Sequence, residues 1–300
     1  MQTPTSASPA LSPDLLARVL GLKLRAKIVL EGALAGTHRS PFHGYSSEFA
    51  QFKGYVPGDD LRHLDWKVYG RRDQLVTRQY RDETNTRVHL LLDTSASMGY
   101  TADAVNTETG LSKLDAARVL AAALTVLAER QRDAVSLATG GERLESFLPP
   151  ASGPRATSEV LARLDALRNA GQTDLETLFV QEAARITGQS FVFLFTDLWQ
   201  DADAVAAGLR RIRRKSRAAT VVQLRTRDEE EFFGDGTFRL RDMESGETLE
   251  IAAAQSRPAY TAALKEHALR MAAACSKLNL RLVTVRTDEP LDGALRRILP

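Results

Sequence analysis

The chain has 300 residues, of which 43% are hydrophobic and 26% charged, an ordinary composition for a globular protein. Its 40 basic residues nearly balance its 38 acidic residues, so no strong overall field favours nucleic acid. The longest nearly apolar stretch, residues 119–128, is far shorter than the roughly 20 residues of a membrane-spanning helix. The first 13 residues lack the pattern of a signal peptide. We therefore expect a cytoplasmic protein without a membrane span.

The N-terminal part of the chain differs in pattern from the remainder. Residues 1–13 are rich in Ser, Pro and Thr, which predicts a disordered tail. Ser12 and Pro13 suit the start of a helix that continues weakly to about residue 34. A loop rich in aromatic residues follows, and the alternation of apolar and polar residues over 74–80 predicts a half-buried strand. We expect residues 14–85 to form an N-terminal extension.

Residues 55–67 of this extension hold the motif Tyr-Val-Pro-Gly-Asp-Asp-Leu-Arg-His-Leu-Asp-Trp-Lys. Pro57 and Gly58 suit the central positions of a type II turn, because proline sets the first torsion and glycine permits the positive one. An aspartate after the turn, Asp59 or Asp60, is expected to cap the short helical turn that carries Trp66.

The next distinctive stretch is an apolar run of strand length, residues 88–92, which ends in Asp-Thr-Ser-Ala-Ser. In an open α/β sheet, ligands bind beyond the carboxyl ends of the strands. A loop leaving the strand there would present Asp93, Ser95 and Ser97 from a single turn. Three oxygen ligands without sulfur or imidazole suit a hard divalent cation such as Mg²⁺.

Two further segments are expected to complete this site. Residues 191–195 form a second apolar run, which ends in Thr196 and Asp197, and Gly-Gln-Thr-Asp-Leu at 171–175 places Thr173 in a loop before a helical pattern. The alternative is that Asp93, Asp197 and Thr173 merely cap helices. That alternative explains each segment alone but not the three together.

These three segments resemble the metal-ion-dependent adhesion site of von Willebrand factor A domains. The resemblance implies an ion, Mg²⁺ or else Mn²⁺ or Ca²⁺, held by two aspartates, mostly through water, and by three hydroxyl side chains. It also implies a protein partner that offers an acidic side chain to the ion. The implied metal ligands are Asp93, Ser95, Ser97, Thr173 and Asp197.

Strands and helices alternate along the rest of the chain. Helices are predicted over 111–132, 155–168, 174–187, 201–214, 260–276 and 291–299, and strands over 133–139, 191–196, 219–224 and 281–285. This rhythm predicts βαβ units and a parallel sheet, interrupted by a β-hairpin near 236–252. We therefore expect an α/β fold, a mainly parallel Rossmann-type sheet flanked by helices, in a von Willebrand factor A-like domain over residues 86–300.

The N-terminal motif together with the metal loop resembles a bacterial family catalogued as domain of unknown function 58 (DUF-58), over roughly residues 30–300. Its proteins commonly accompany MoxR-type AAA+ ATPases, which implies an adaptor or assembly factor. The role of the motif stays open between a structural clasp, in which Arg62 pairs with a carboxylate and Trp66 anchors the loop, and a partner-contact surface. The matching positions are Tyr55, Pro57, Gly58, Asp59, Asp60, Arg62, Asp65 and Trp66.

The sequence therefore favours a metal-dependent protein-binding module that is not an enzyme. A Mg²⁺-dependent hydrolase or phosphotransferase of the haloacid-dehalogenase type needs a second aspartate two residues after the first, where Ser95 stands. A nucleic-acid-associated scaffold rests only on one basic cluster, so nucleic acid is not the partner we expect. That cluster consists of Arg210, Arg211, Arg213, Arg214, Lys215 and Arg217.

Overall fold

The computed structural model describes residues 21–35, 48–56, 64–81, 86–102, 110–140, 144–169, 171, 179, 181–187, 190–232 and 235–299. The helices are α1 (Leu22–Leu34), α2 (Trp66–Arg72), α3 (Lys113–Gln131), α4 (Pro154–Ala166), α5 (Ala202–Lys215), α6 (Arg227–Glu231), α7 (Ala253–Lys277) and α8 (Leu291–Ile298). The strands are β1 (Glu48–Gly54), β2 (Val76–Arg81), β3 (Arg87–Asp93), β4 (Ala134–Gly140), β5 (Leu144–Ala151), β6 (Ser190–Thr196), β7 (Ala218–Arg225), β8 (Thr237–Arg241), β9 (Thr248–Ala252) and β10 (Arg281–Arg286).

A six-stranded sheet in the order β10-β7-β6-β3-β4-β5 organises the chain. Its neighbouring strands are parallel except for β5, which pairs antiparallel with β4 at one edge. Counting only the strands of this sheet in chain order, the arrangement is the 3-2-1-4-5-6 order of a doubly wound α/β fold. The predicted α/β class with a mainly parallel sheet is confirmed. The order reverses between β3 and β6, where the carboxyl ends of the strands define the expected ligand crevice.

The central strands are mostly apolar because helices cover both faces of the sheet. β3 is buried from its second residue onward, and β6 is buried along its whole length. One face packs against α3, which is covered in turn by α1 and α8, and the other packs against α5 and α7. On the second face Gly208 of α5 leaves room for the ring of Phe179, which a Cβ atom would meet at 2.1 Å.

Helix α1 belongs to the predicted N-terminal extension, yet it packs against the main body. Ala26, Leu30 and Ala33 are buried in the same apolar cluster as α3 and α8. The division at residue 85 remains a prediction, while the predicted tail at 1–13 lies outside the described residues.

Helix α3 begins at the carboxyl edge of the sheet. The Ser112 hydroxyl accepts a hydrogen bond from Asp115 N at 3.0 Å and donates to Asp115 Oδ2 at 2.8 Å, so it caps the helix. Arg132 closes the helix in the left-handed conformation, with φ of 61°. The helix thereby places its first residue, Lys113, beside the carboxyl ends of the strands.

Strand β5 and helix α7 are among the elements that differ from their sequence predictions. Strand β5 was not predicted, because Pro149 and Pro150 break the pattern of a regular strand; an edge strand tolerates proline, which cannot donate to a ladder. Helix α7 begins at Ala253, seven residues before the predicted start, and contains Pro258. Its N-terminal part continues directly from the predicted β8–β9 hairpin, which is confirmed.

Across the residues that the structure describes, no helix combines the length and the apolar character needed to cross a membrane.

Candidate metal centre

The predicted metal loop leaves the carboxyl end of β3, and its first carboxylate is completely buried. Asp93 Oδ1 accepts a hydrogen bond from Ser95 N at 2.9 Å, and Asp93 Oδ2 accepts one from Thr196 Oγ1 at 2.8 Å. Thr196 is the last residue of β6, so the two strands at the switch point are joined through this carboxylate. The loop continues as a short 3₁₀ helix over Ala96–Gly99.

The two serine hydroxyls of the loop lie side by side. Ser95 Oγ and Ser97 Oγ are 3.1 Å apart. Adjacent oxygen ligands of an octahedral Mg²⁺ with bonds of 2.0–2.1 Å would be separated by about 2.9 Å. The hydroxyl pair therefore matches the spacing of two neighbouring ligands of a small hard cation.

Burial of the Asp93 carboxylate favours binding of a cation beside it. Desolvation is the main cause that raises the pKa of the Asp93 carboxyl to about 7, and the charge of Asp197 adds to it. Two buried carboxylates that raise each other's energy favour binding of a positive ion between or beside them. The donor set, two carboxylates with neighbouring hydroxyls, therefore fits a divalent cation such as Mg²⁺.

Asp197, the second predicted carboxylate, follows β6 directly and has a partner that the sequence did not reveal. Lys113 Nζ donates to Asp197 Oδ2 and to Glu229 Oε1, each at 2.7 Å, and the lysine side chain is only 1% exposed. Glu229 Oε1 also accepts a hydrogen bond from Trp199 Nε1 at 3.2 Å, and its Oε2 accepts one from Thr226 N at 2.8 Å. The result is a buried ionic network next to the metal loop.

A second buried cation borders this network. The guanidinium carbon of Arg225 lies 3.9 Å from the centre of the Trp199 ring, and Arg225 is 2% exposed. Its guanidinium interacts electrostatically with Glu229 and Asp197. Within this cluster of described residues, three buried carboxylates thus face two buried cations: Asp93, Asp197 and Glu229 against Lys113 and Arg225.

The predicted threonine ligand, Thr173, lies outside the described residues. Gly171, at the start of its motif, is described with φ of 75°, and its carbonyl oxygen accepts a hydrogen bond from Ala96 N at 3.0 Å. That bond joins the Gly171 backbone to the metal loop. In the described part of the chain, no group of three or more His, Cys, Asp or Glu side chains could hold a metal, so hydroxyl ligands are essential to this candidate.

The family motif in the N-terminal segment is only partly described, since Pro57, Gly58, Asp59, Asp60 and Arg62 lie outside the described residues. Tyr55 is half-buried and its N–H donates to the Leu75 carbonyl at 2.9 Å.

The clasp interpretation of this motif needed Trp66 as a buried anchor, and that expectation is wrong. Trp66 is 66% exposed, and its ring meets that of Tyr69 edge-on at 6.3 Å. Asp65 is buried instead and caps α2, because its Oδ1 accepts hydrogen bonds from Lys67 N at 2.9 Å and Val68 N at 3.2 Å. The capping residue of this segment is therefore the one directly before the helix.

The fold and the loop define a Rossmann-type α/β protein with a candidate cation site at the switch point of the sheet. The family model described as "Protein of unknown function DUF58" matches residues 51–270, so the chain belongs to this family.

Curated relatives match over shorter segments. An uncharacterized protein from Mycobacterium tuberculosis is 34% identical over 115 residues, which cover 38% of this chain and 34% of that protein. The uncharacterized protein YeaD from Bacillus subtilis is 39% identical over 59 residues, 19% of this chain and 15% of YeaD. The matched part spans about a third of the mycobacterial relative's length.

Among solved structures, the conserved hypothetical protein BatB from Bacteroides thetaiotaomicron is similar at 16% identity and a TM-score of 0.46, covering 71% of this chain and 96% of BatB. A von Willebrand factor type A protein from Catenulispora acidiphila is similar at 12% identity and a TM-score of 0.43, covering 86% of this chain and 51% of that protein. Both scores are below 0.5, and the Rossmann-type fold is defined by the strand order of the sheet and the helices on its two faces.

Proposed function

We propose that this chain is a metal-dependent protein-binding module, which captures an acidic side chain of a partner protein through a divalent ion. The observation that carries the proposal is the buried Asp93 carboxylate, placed beside two serine hydroxyls that lie 3.1 Å apart. Asp93, Ser95, Ser97 and Asp197 would hold the ion, with Thr173 as a further ligand. The bound ion would supply an electrophilic centre with an open position for a partner oxygen.

The balance of buried charge supports an acidic partner. When Asp93 is ionised, three buried carboxylates and two buried cations leave one uncompensated negative charge in the cluster. A divalent ion would change this sum to one positive charge, which a carboxylate from the partner would neutralise. Serine and threonine ligands are neutral, so they do not reduce the charge of the ion.

The same contacts favour binding over catalysis. Both oxygens of Asp93 already accept hydrogen bonds, and Asp197 is bound to the Lys113 ammonium. A general base must accept a proton from water or substrate, and a carboxylate held in this way is poorly suited to that task. A Mg²⁺-dependent hydrolase or phosphotransferase is therefore the second candidate.

The partner class follows from the family resemblance and not from the contacts. Since the resembled proteins accompany MoxR-type AAA+ ATPases, we propose that this module links such an ATPase to the protein it acts on. Exposed Trp66, in the family motif, would belong to a contact surface separate from the metal loop.

The test is capture of partner proteins from a lysate of the native host by the tagged chain, with Mg²⁺ or with EDTA. The proposal predicts a partner that is released by EDTA, recaptured on adding Mg²⁺, and absent with Asp93→Ala. The matched control is Asp235→Ala, because the Asp235 side chain is 92% exposed. Capture that is indifferent to EDTA and to Asp93→Ala would contradict the proposal. Metal-dependent hydrolysis of a phosphoester that Asp93→Ala abolishes would favour the enzyme instead.

A further inference from the structure

We propose that Lys113 is a built-in competitor for the divalent ion, which keeps metal affinity low and lets the protein fold without metal. The inference rests on the proposed metal centre and assigns a positioning role to a residue outside its ligand set. Three properties of the Lys113 ammonium support it: its burial, its two carboxylate partners, and the repulsion between its charge and a neighbouring metal ion.

The Lys113 ammonium is buried and is held by two carboxylates. Its distances to Asp197 Oδ2 and Glu229 Oε1 are both 2.7 Å, with the lysine side chain 1% exposed. Burying an ammonium is costly unless it is paired and hydrogen-bonded. The two carboxylates meet that condition, and in return the lysine compensates their charge in the absence of metal.

The position of Lys113 in its helix is electrostatically unfavourable. Lys113 is the first residue of α3, and helix N-termini favour negative groups because the helix dipole is positive there. Solvent offers no compensation at a buried site, and the Tyr100 ring, whose centre lies 5.9 Å from the ammonium, adds only a cation–π attraction. The lysine is therefore retained at this position by the two carboxylates and not by the helix.

Competition with a metal ion follows from the shared carboxylate. Asp197 Oδ2 accepts a hydrogen bond from Lys113, so an ion that draws on Asp197 must share it with an ammonium. The ammonium also repels a divalent cation at the same centre, and this repulsion is strong in a buried site. Removing the lysine charge would release the carboxylate and remove the repulsion, so metal affinity should rise.

The experiment compares Mn²⁺ binding, by isothermal titration calorimetry, to the wild-type chain and to Lys113→Met, which keeps the length of the side chain and removes its charge. We expect at least a tenfold decrease in the Mn²⁺ dissociation constant and a melting temperature that rises with Mn²⁺ more steeply than that of the wild type. Lys113→Arg, which retains the charge, should keep the wild-type affinity. Arg130→Met, which removes a charge near the other end of α3, should also leave it unchanged.

A second variant covers the case in which Lys113→Met does not fold. Lys113→Met combined with Glu229→Gln removes one positive and one negative charge. The double variant leaves only Asp197 as a charged carboxylate that has lost the lysine, whereas Lys113→Met alone leaves both Asp197 and Glu229. The tighter binding of Mn²⁺ should persist in this double variant. A dissociation constant within twofold of the wild-type value would overturn the role of Lys113.

The outcomes separate this inference from the proposed function. Equal binding by the wild type and the two variants that remove the lysine charge would overturn the inference and leave the metal-dependent function standing. Binding by the variants alone would support the inference and contradict metal use by the native chain. If neither binds Mn²⁺, both are wrong.

Discussion

The metal loop and the N-terminal family motif place their distinctive residues in opposite environments. Asp93 and Asp197 are almost completely buried at the carboxyl edge of the sheet, whereas Trp66 in the family motif is 66% exposed. The first region needs compensation of its charge inside the protein, since a buried carboxylate is costly. The second exposes a large aromatic ring to solvent, which folding alone does not require.

The difference shows that a specific motif does not reveal whether its residues serve the fold or a partner. In the metal loop, burial and paired charges make the motif residues energetically important to the folded state. In the N-terminal segment, Asp65 stabilises the structure by capping α2. The adjacent Trp66 is exposed and available for contact with a partner. Variants of the two regions should therefore separate stability from binding.

The largest expected effect on stability comes from Asp197→Ala. The substitution leaves the buried Lys113 ammonium with Glu229 as its carboxylate partner, and breaking a buried ion pair costs about 3 to 5 kcal/mol. Because one carboxylate remains, we expect a loss near the lower end, about 3 kcal/mol, in the free energy of unfolding measured in urea with EDTA. Glu250→Ala, which breaks the exposed pair with Arg239, is the control and should cost less than about 1 kcal/mol. Equal losses for the two variants would show that the buried ion pair stabilises the fold no more than an exposed one.

The contribution of Asp93 to the stability of the metal-free protein should fall as pH rises. The raised pKa of Asp93 means that the folded state keeps a proton which the unfolded state releases at about pH 4. The contribution of Asp93 is therefore favourable at low pH and is lost as pH rises through about 7. Urea unfolding in EDTA at several pH values tests this expectation.

A control is needed because the contribution of His89 to stability changes with pH in the opposite direction to that of Asp93. Burial lowers the pKa of His89 to about 4, so its contribution to stability is lost as pH falls below its unfolded-state value. Asp93→Asn removes only the carboxylate, and the difference between the two pH profiles isolates Asp93. A difference that does not change with pH would contradict the assigned burial and charge of the metal loop.

An intermediate effect is expected for Asp65→Ala. Removal of an N-cap side chain costs typically about 1 kcal/mol, and Asp65 accepts two backbone hydrogen bonds at the start of α2. Urea unfolding measures the loss, and Asp65→Asn, which retains an acceptor oxygen, should recover most of it. No loss with alanine would show that this part of the motif is not held by the cap.

The smallest effect on stability belongs to Trp66→Ala. Since most of its side chain is exposed, we expect a change within about 0.5 kcal/mol, as is usual for surface substitutions. Partner capture should nevertheless weaken if the exposed ring is a contact. A large loss of stability would support the clasp interpretation, and would show that Trp66 stabilises the fold as the residues of the metal loop do.

Most of the fold was predictable, because buried parallel strands are strong sequence signals. Residues 88–92 and 191–195 are continuous apolar runs, and each lies within an observed strand of the central sheet. Strand β5 was missed since its two prolines resemble a turn, and an antiparallel edge position could not be deduced from local pattern.

The candidate site was predictable only where its residues follow strands. Asp93 and Asp197 were found because each comes at the carboxyl end of an apolar run. Lys113 and Glu229 are 116 residues apart and carry no shared motif, so only the topology reveals the pair. One local signal was present: Lys113 opens an apolar helix at a position that usually favours acidic residues.

The most direct test of the central claim is a Mn²⁺ titration of the wild-type chain, Asp93→Ala and Asp197→Ala, with Asp235→Ala as an exposed control. We predict weak binding of one ion to the wild type and to the control. Binding should be abolished in Asp93→Ala, with folding checked by circular dichroism. Unaltered binding by both Asp93→Ala and Asp197→Ala, or no binding by the wild type, would contradict a metal centre at the carboxyl end of β3.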